Sequence, residues 1–90
     1  MANIGKFNVT TTWTKIADIT STTFTDGKKY LLQNVDYPTI MLCESANQPT
    51  GDVGFRANTD EKVLYTCKTG AYLWLKSYKG TGSFNVSEEE

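Results

Sequence analysis

The sequence predicts an all-β fold: a single small antiparallel β-sandwich, or a partly closed barrel, of roughly seven or eight short strands. Three observations carry that prediction. Apolar and polar residues alternate in short runs such as Tyr30–Val35, Thr39–Cys43 and Tyr72–Leu75. The runs recur at intervals of about ten residues, as strands of a sandwich do. Turn chemistry separates them, as in Asp26-Gly27, Pro49-Thr50-Gly51 and Gly80-Thr81-Gly82, and no helical period stands between them.

The first 25 residues are rich in threonine, whose branched Cβ suits a half-exposed pleated surface. Phe7 and Val9 share one parity, as do Trp13 and Lys15, which reads as two short strands or one long bent strand. Ile16 and Ile19 break the alternation and predict a bend or bulge before a run around Phe24. Asp26-Gly27 then forms a tight turn, because glycine accepts the positive φ that such turns need. Lys28–Val35 is a strand. Pro38 opens the next, where a missing amide donor does least harm. Residues 46–51 form the longest loop. Asp52–Ala57 is a weaker strand interrupted by Gly54, and Glu61–Lys68 is another, ending in a Thr69-Gly70 turn. Ala71–Lys79 is the strongest strand, and Gly80-Thr81-Gly82 leads to a last one over Ser83–Glu88. Residues 1–90 form one domain, and residues 88–90 form an acidic tail that reads as a solvated end or as a clasp for a basic partner.

Ninety residues can bury one compact core without metal or many cross-links. Two tryptophans, five tyrosines and four phenylalanines supply large buried areas for it. A net charge of −1 argues against a nonspecific grip on nucleic acid, and no polybasic segment is present to bind an anionic membrane. The start, Met1–Lys6, lacks the apolar stretch of a signal peptide, and no run reaches membrane-spanning length, so synthesis in the cytoplasm is expected. Cys43 and Cys67 each sit in an apolar run. They read as buried free thiols, with a disulfide the alternative that a reducing compartment disfavours.

Nothing in the chain assembles a familiar catalytic site, and no enzymatic activity is expected. The absence of histidine removes Ser-His and Cys-His nucleophiles and the commonest metal ligand. Two cysteines alone cannot complete a four-ligand zinc site. Lys76 and Ser77 are neighbours in a strand, so their side chains point to opposite faces and cannot form a dyad. No phosphate-cradling glycine loop or calcium loop is present, and no cofactor is implied.

One strand carries a surface hypothesis. In Ala71–Lys79 the odd residues Ala71, Leu73 and Leu75 form an aliphatic face that suits the core. The even residues Tyr72, Trp74, Lys76 and Tyr78 are then the candidate interaction surface. The opposite assignment, with Tyr72 and Trp74 packed between the sheets, stands beside it. Polar-tipped aromatics on an outer face suit a protein contact, and at about 7 Å spacing they could also stack on neighbouring sugar rings.

Several short motifs, taken together, resemble the small β-sandwich virion proteins of tailed bacteriophages. They are Thr12-Trp13-Thr14-Lys15-Ile16-Ala17, Tyr30-Leu31-Leu32-Gln33-Asn34, Met41-Leu42-Cys43-Glu44-Ser45, Leu73-Trp74-Leu75-Lys76-Ser77 and Val86-Ser87-Glu88. The resemblance implies a non-enzymatic structural role, decorating or stabilising a capsid, with a second copy and a major capsid or tail protein as partners. It implies residence in the virion after synthesis in the host bacterial cytoplasm, and it assigns no attachment residues. Two other roles fit the residues: a carbohydrate-binding module of an adhesin, with a glycan on Tyr72, Trp74 and Tyr78, and a small inhibitor of a host protein.

Overall fold

The computed structural model describes residues 2–21, 23–51, 54–68 and 70–89. They form eight strands and one short helix: β1 (Ala2–Val9), β2 (Thr14–Lys15), α1 (Ile16–Thr20), β3 (Lys29–Asn34), β4 (Ile40–Ser45), β5 (Phe55–Ala57), β6 (Lys62–Thr66), β7 (Tyr72–Ser77) and β8 (Gly82–Glu89). Two four-stranded sheets result, in the orders β1-β8-β3-β6 and β2-β7-β4-β5, and every pairing is antiparallel. Every connection except β4–β5 crosses from one sheet to the other. The fold is therefore a β-sandwich, with two open edges for each sheet.

Alternation places one face of each strand in the core. From the first sheet come Val9, Tyr30, Leu32, Tyr65, Phe84 and Val86; from the second come Ile40, Leu42, Ala57, Leu73 and Leu75. In β1 the register slips between Asn3 and Gly5, so one extra residue opposes β8. That bulge inverts the parity of the strand. As a result Ile4 packs against the core on the same side as Phe7, although the two differ in parity. Phe7 in turn meets Phe84 with ring centroids 6.1 Å apart.

The N-terminal segment departs from expectation in two places. Ile16 and Ile19 do not mark a bulge; they lie in α1, a single helical turn closed by Ser21 in the left-handed conformation. At helical spacing both isoleucines reach the core, and Thr20 donates its hydroxyl to the Ile16 carbonyl at 2.9 Å. The run around Phe24 is not a strand. Phe24 packs on Tyr30 at 4.4 Å between centroids, and the Tyr30 hydroxyl accepts the Thr25 amide at 2.9 Å. Asp26-Gly27 does make the tight turn, with Lys28 donating to the Thr25 carbonyl and Gly27 at φ 83°.

Of the weaker expected strand, Asp52 and Val53 lie outside the described residues, and β5 begins after Gly54. Thr69 of the expected turn and Glu90 of the acidic tail also lie outside them. Glu88 is not part of a frayed end: it belongs to β8, opposite Tyr30, and pairs with Lys28.

Asn34 ties the two sheets together where β3 ends. It is 2% exposed, and its amide donates to the carbonyls of Pro38 and Ala57, both at 2.8 Å. Its side-chain oxygen accepts the Asp36 amide at 3.0 Å. A buried amide is tolerable only with its hydrogen bonds made, and here they fix the first interval between β3 and β4.

Candidate interaction surface

Strand β7 is the second strand of its sheet, flanked by β2 and β4. Its odd residues Leu73, Leu75 and Ser77 are buried on the inner side. Tyr72, Trp74 and Lys76 face outward, and Tyr78 follows just beyond the strand. Register places Lys15 and Cys43 beside Trp74, Met41 beside Lys76, and Arg56 beside Met41. These residues form the outer face of the second sheet.

That face is not an open aromatic platform. Trp13, Met41 and Trp74 pack into a second small apolar cluster, with Cys43 against it, and Trp74 is only 8% exposed. The cover comes from the chain between β4 and β5. Trp13 Nε1 donates to the Gly51 carbonyl at 3.0 Å, and Gln48 Nε2 donates to the Trp13 carbonyl at 2.8 Å. Trp74 Nε1 donates to the Ser45 carbonyl at 2.9 Å. Both indole N–H groups are thus satisfied by the start and end of the same loop, which buried tryptophan requires.

Cations lie over the rings. Lys15 Nζ sits 4.0 Å from the Tyr72 centroid and 5.5 Å from that of Trp74, and Lys76 Nζ sits 5.4 Å from Trp13. The Arg56 guanidinium lies 5.6 Å from Tyr78. Each such contact is worth about 0.5–1 kcal/mol at an exposed site. Of the four residues singled out in the sequence, Tyr72 and Tyr78 remain about half exposed, Lys76 is half-buried and Trp74 is roofed.

Two clefts lie elsewhere, and sequence reasoning pointed to neither. The larger, about 530 Å³, opens between α1, Phe24 and the β6–β7 connection, and its lining includes Asp18, Asp26, Tyr65, Cys67 and Lys68. Burial, then the neighbouring Cys67 thiol and the Glu44 carboxylate, hold the Tyr65 hydroxyl neutral well above the usual tyrosine range. The second cleft, about 310 Å³, runs between the edges of the two sheets where β5 lies beside β6, and Phe55, Val63, Leu64 and Leu73 line it. Phe55 is 79% exposed and Leu64 54%. The one signal in the sequence was Leu64 itself, an apolar residue in the otherwise polar row Lys62, Leu64, Thr66.

Cys43 and Cys67 are both free and half-buried, one on the outer face of the second sheet and the other against the main core. No group of metal-binding side chains forms among the described residues. Among the described residues no helix is long and apolar enough to cross a membrane. Comparison with known proteins finds no matching family model, no similar curated protein and no similar solved structure.

Proposed function

We propose that this chain is a non-enzymatic structural protein of a tailed-bacteriophage virion, decorating or stabilising the capsid through protein–protein contacts. The observation that carries the contact-forming role is exposed apolar surface in two places: the edge where Phe55 and Leu64 border the cleft between β5 and β6, and the outer face of the second sheet, where Tyr72 and Tyr78 stay about half exposed. Exposed apolar groups clustered at one edge mark contact sites more often than isolated ones do. The virion assignment rests on the strand motifs that resemble small phage virion proteins, from Thr12-Trp13-Thr14-Lys15 to Leu73-Trp74-Leu75-Lys76-Ser77. The lack of histidine and the near-neutral charge suit a protein that binds other proteins and does no chemistry.

The glycan reading has less support. A sugar platform needs free ring faces, and Lys15 and Arg56 lie over Tyr72 and Tyr78 while Trp74 is covered.

The test is to raise an antibody against the purified protein and apply it, gold-labelled, to purified virions of the phage that encodes it. Label on capsids or tails is expected at regular positions. Particles that carry no label, and no peptide of this chain by mass spectrometry, would overturn the assignment.

A further inference from the structure

Of the four sheet edges, three are blunted. β2 has two residues, β5 has three and follows Gly54, and β1 carries the bulge at Gly5. Bulges and short strands are the usual defences of a sheet edge. β6 has neither, and its one exposed lysine, the other common guard of an edge, stands only at its first position, Lys62. Its five residues pair in unbroken register with β3 on one side, and no described residue pairs with the other side.

The hydrogen-bond phase of β6 shows which groups face outward. The Cys67 amide donates to the Lys28 carbonyl, and the Glu61 carbonyl accepts the Asn34 amide. Odd-numbered residues of this segment therefore direct their N–H and C=O groups toward β3. Alternation turns those of Lys62, Leu64 and Thr66 to the open side. Leu64 is the middle residue of the strand.

We infer that β6 pairs antiparallel with β6 of a second copy about a two-fold axis at Leu64, making one continuous sheet across a homodimer. This goes beyond the virion reading and depends on the geometry of β6 alone. In this register Leu64 opposes its own symmetry mate, and Lys62 opposes Thr66 of the second copy. All three outward pairs of donors and acceptors find partners. The charges agree with it. Asp60, Glu61 and Lys62 leave one end of the strand net acidic, and Lys68, which also pairs with Glu44 at 3.8 Å, makes the other basic, so an antiparallel copy brings each acidic end to a basic end. A parallel copy would set like ends together. The two Lys62 side chains end about four residues apart along the ladder, near 13 Å. Leu64 stands beside Leu31 on the outer face of its sheet. Pairing about the dyad joins these two residues to their mates in one apolar stripe. Beneath it, Phe55 at the neighbouring edge lies close to the second copy.

The experiment is sedimentation equilibrium of the purified protein up to about 1 mM, the weak limit of a transient contact, with amide hydrogen exchange read by NMR. A reversible dimer is expected, with the amides of Lys62, Leu64 and Thr66 gaining protection as concentration rises. Leu64→Lys should remain folded, because the side chain is exposed, and should weaken dimerisation at least tenfold. Leu64→Pro removes an amide that the monomer leaves unused, at an edge position where the fixed φ of proline is tolerated, and should do the same. A 10.0 kDa monomer throughout the range would overturn the inference. So would a dimer that leaves those three amides unprotected or survives both substitutions. A monomer refutes the β6 dyad without touching the labelling of virions, and unlabelled virions leave the β6 result standing.

Discussion

Asn34→Ala is the sharpest test of how this sandwich is held. The substitution removes three hydrogen bonds at once, to the Pro38 and Ala57 carbonyls at 2.8 Å and from the Asp36 amide at 3.0 Å. Their environments differ. Asp36 is exposed and Pro38 half-buried, so water can replace the lost amide there. Ala57 is buried. The Ala57 carbonyl lies opposite Ile40 in the β4–β5 ladder and keeps that partner, so each of the three lost bonds is worth about 0.5–1.5 kcal/mol. Together they bring the expected loss to about 3 kcal/mol, a large share of the stability of a small domain. Urea unfolding followed by tryptophan fluorescence is the assay. A slope near 1 kcal/mol per molar urea translates that loss into a midpoint lower by about 3 M. Asn34→Asp should be worse at neutral pH, because it aims a carboxylate at two carbonyls. That raises its pKa, so part of the loss should return as pH falls and the carboxyl takes up a proton it can donate. A loss below about 1 kcal/mol for Asn34→Ala, with an unchanged slope, would show that the tie between the sheets lies elsewhere.

Three further outcomes follow from the same geometry. Trp74→Ala should cost about 3–5 kcal/mol, whereas Tyr72→Ala, which removes a half-exposed ring, should cost less than about 1 kcal/mol; urea midpoints compare them. Gly54→Ala should destabilise by about 2 kcal/mol or more, because Gly54 sits at φ 93° and an added Cβ would lie 2.1 Å from the Leu42 carbonyl oxygen. Tyr65→Phe should flatten the loss of stability above pH 10. The native tyrosine holds its proton there while the unfolded one releases it, so stability is complete below about pH 10 and declines above it. Unfolding midpoints at pH 9, 10 and 11 for both proteins check this.

The sequence made strands legible where alternation was long enough to have a phase. In β7 the small and aliphatic residues at 73, 75 and 77 face the core, because no other phase buries them together. In β3 the same rule buries Tyr30 and Leu32, but it also buries Asn34, and no pattern foretells an amide that finds two carbonyls across the sandwich. The helix α1 escaped notice because one turn gives only Ile16, Ile19 and Thr20 as its buried spacing, which a bulge would also produce. The bulge in β1 depends on Gly5, whose φ of 145° is readable only in the fold. The cover over Trp74 was beyond local reading altogether. It depends on bonds between residues 35 and 38 positions apart, Trp13 to Gln48 and Trp13 to Gly51.

That cover changes what the aromatic strand can do. A roofed Trp74 cannot be a contact residue by itself, so its removal would weaken any partner through the fold and not through a lost touch. Contact on this face falls to Tyr72 and Tyr78, about 20 Å apart along the strand and each already paired with a cation. Such pairs present a flat, partly apolar and positively charged surface, which suits an acidic protein face better than a sugar ring. The β6 edge is different in kind, since it offers unused backbone hydrogen bonds and an exposed leucine. The two surfaces lie on different sheets, so a subunit could bind its own copy through one and a larger particle through the other. Leu64→Lys should then abolish self-association and leave particle binding intact. A Tyr72→Ala, Tyr78→Ala double variant should do the reverse, and loss of both activities in either variant would mean that one surface serves both.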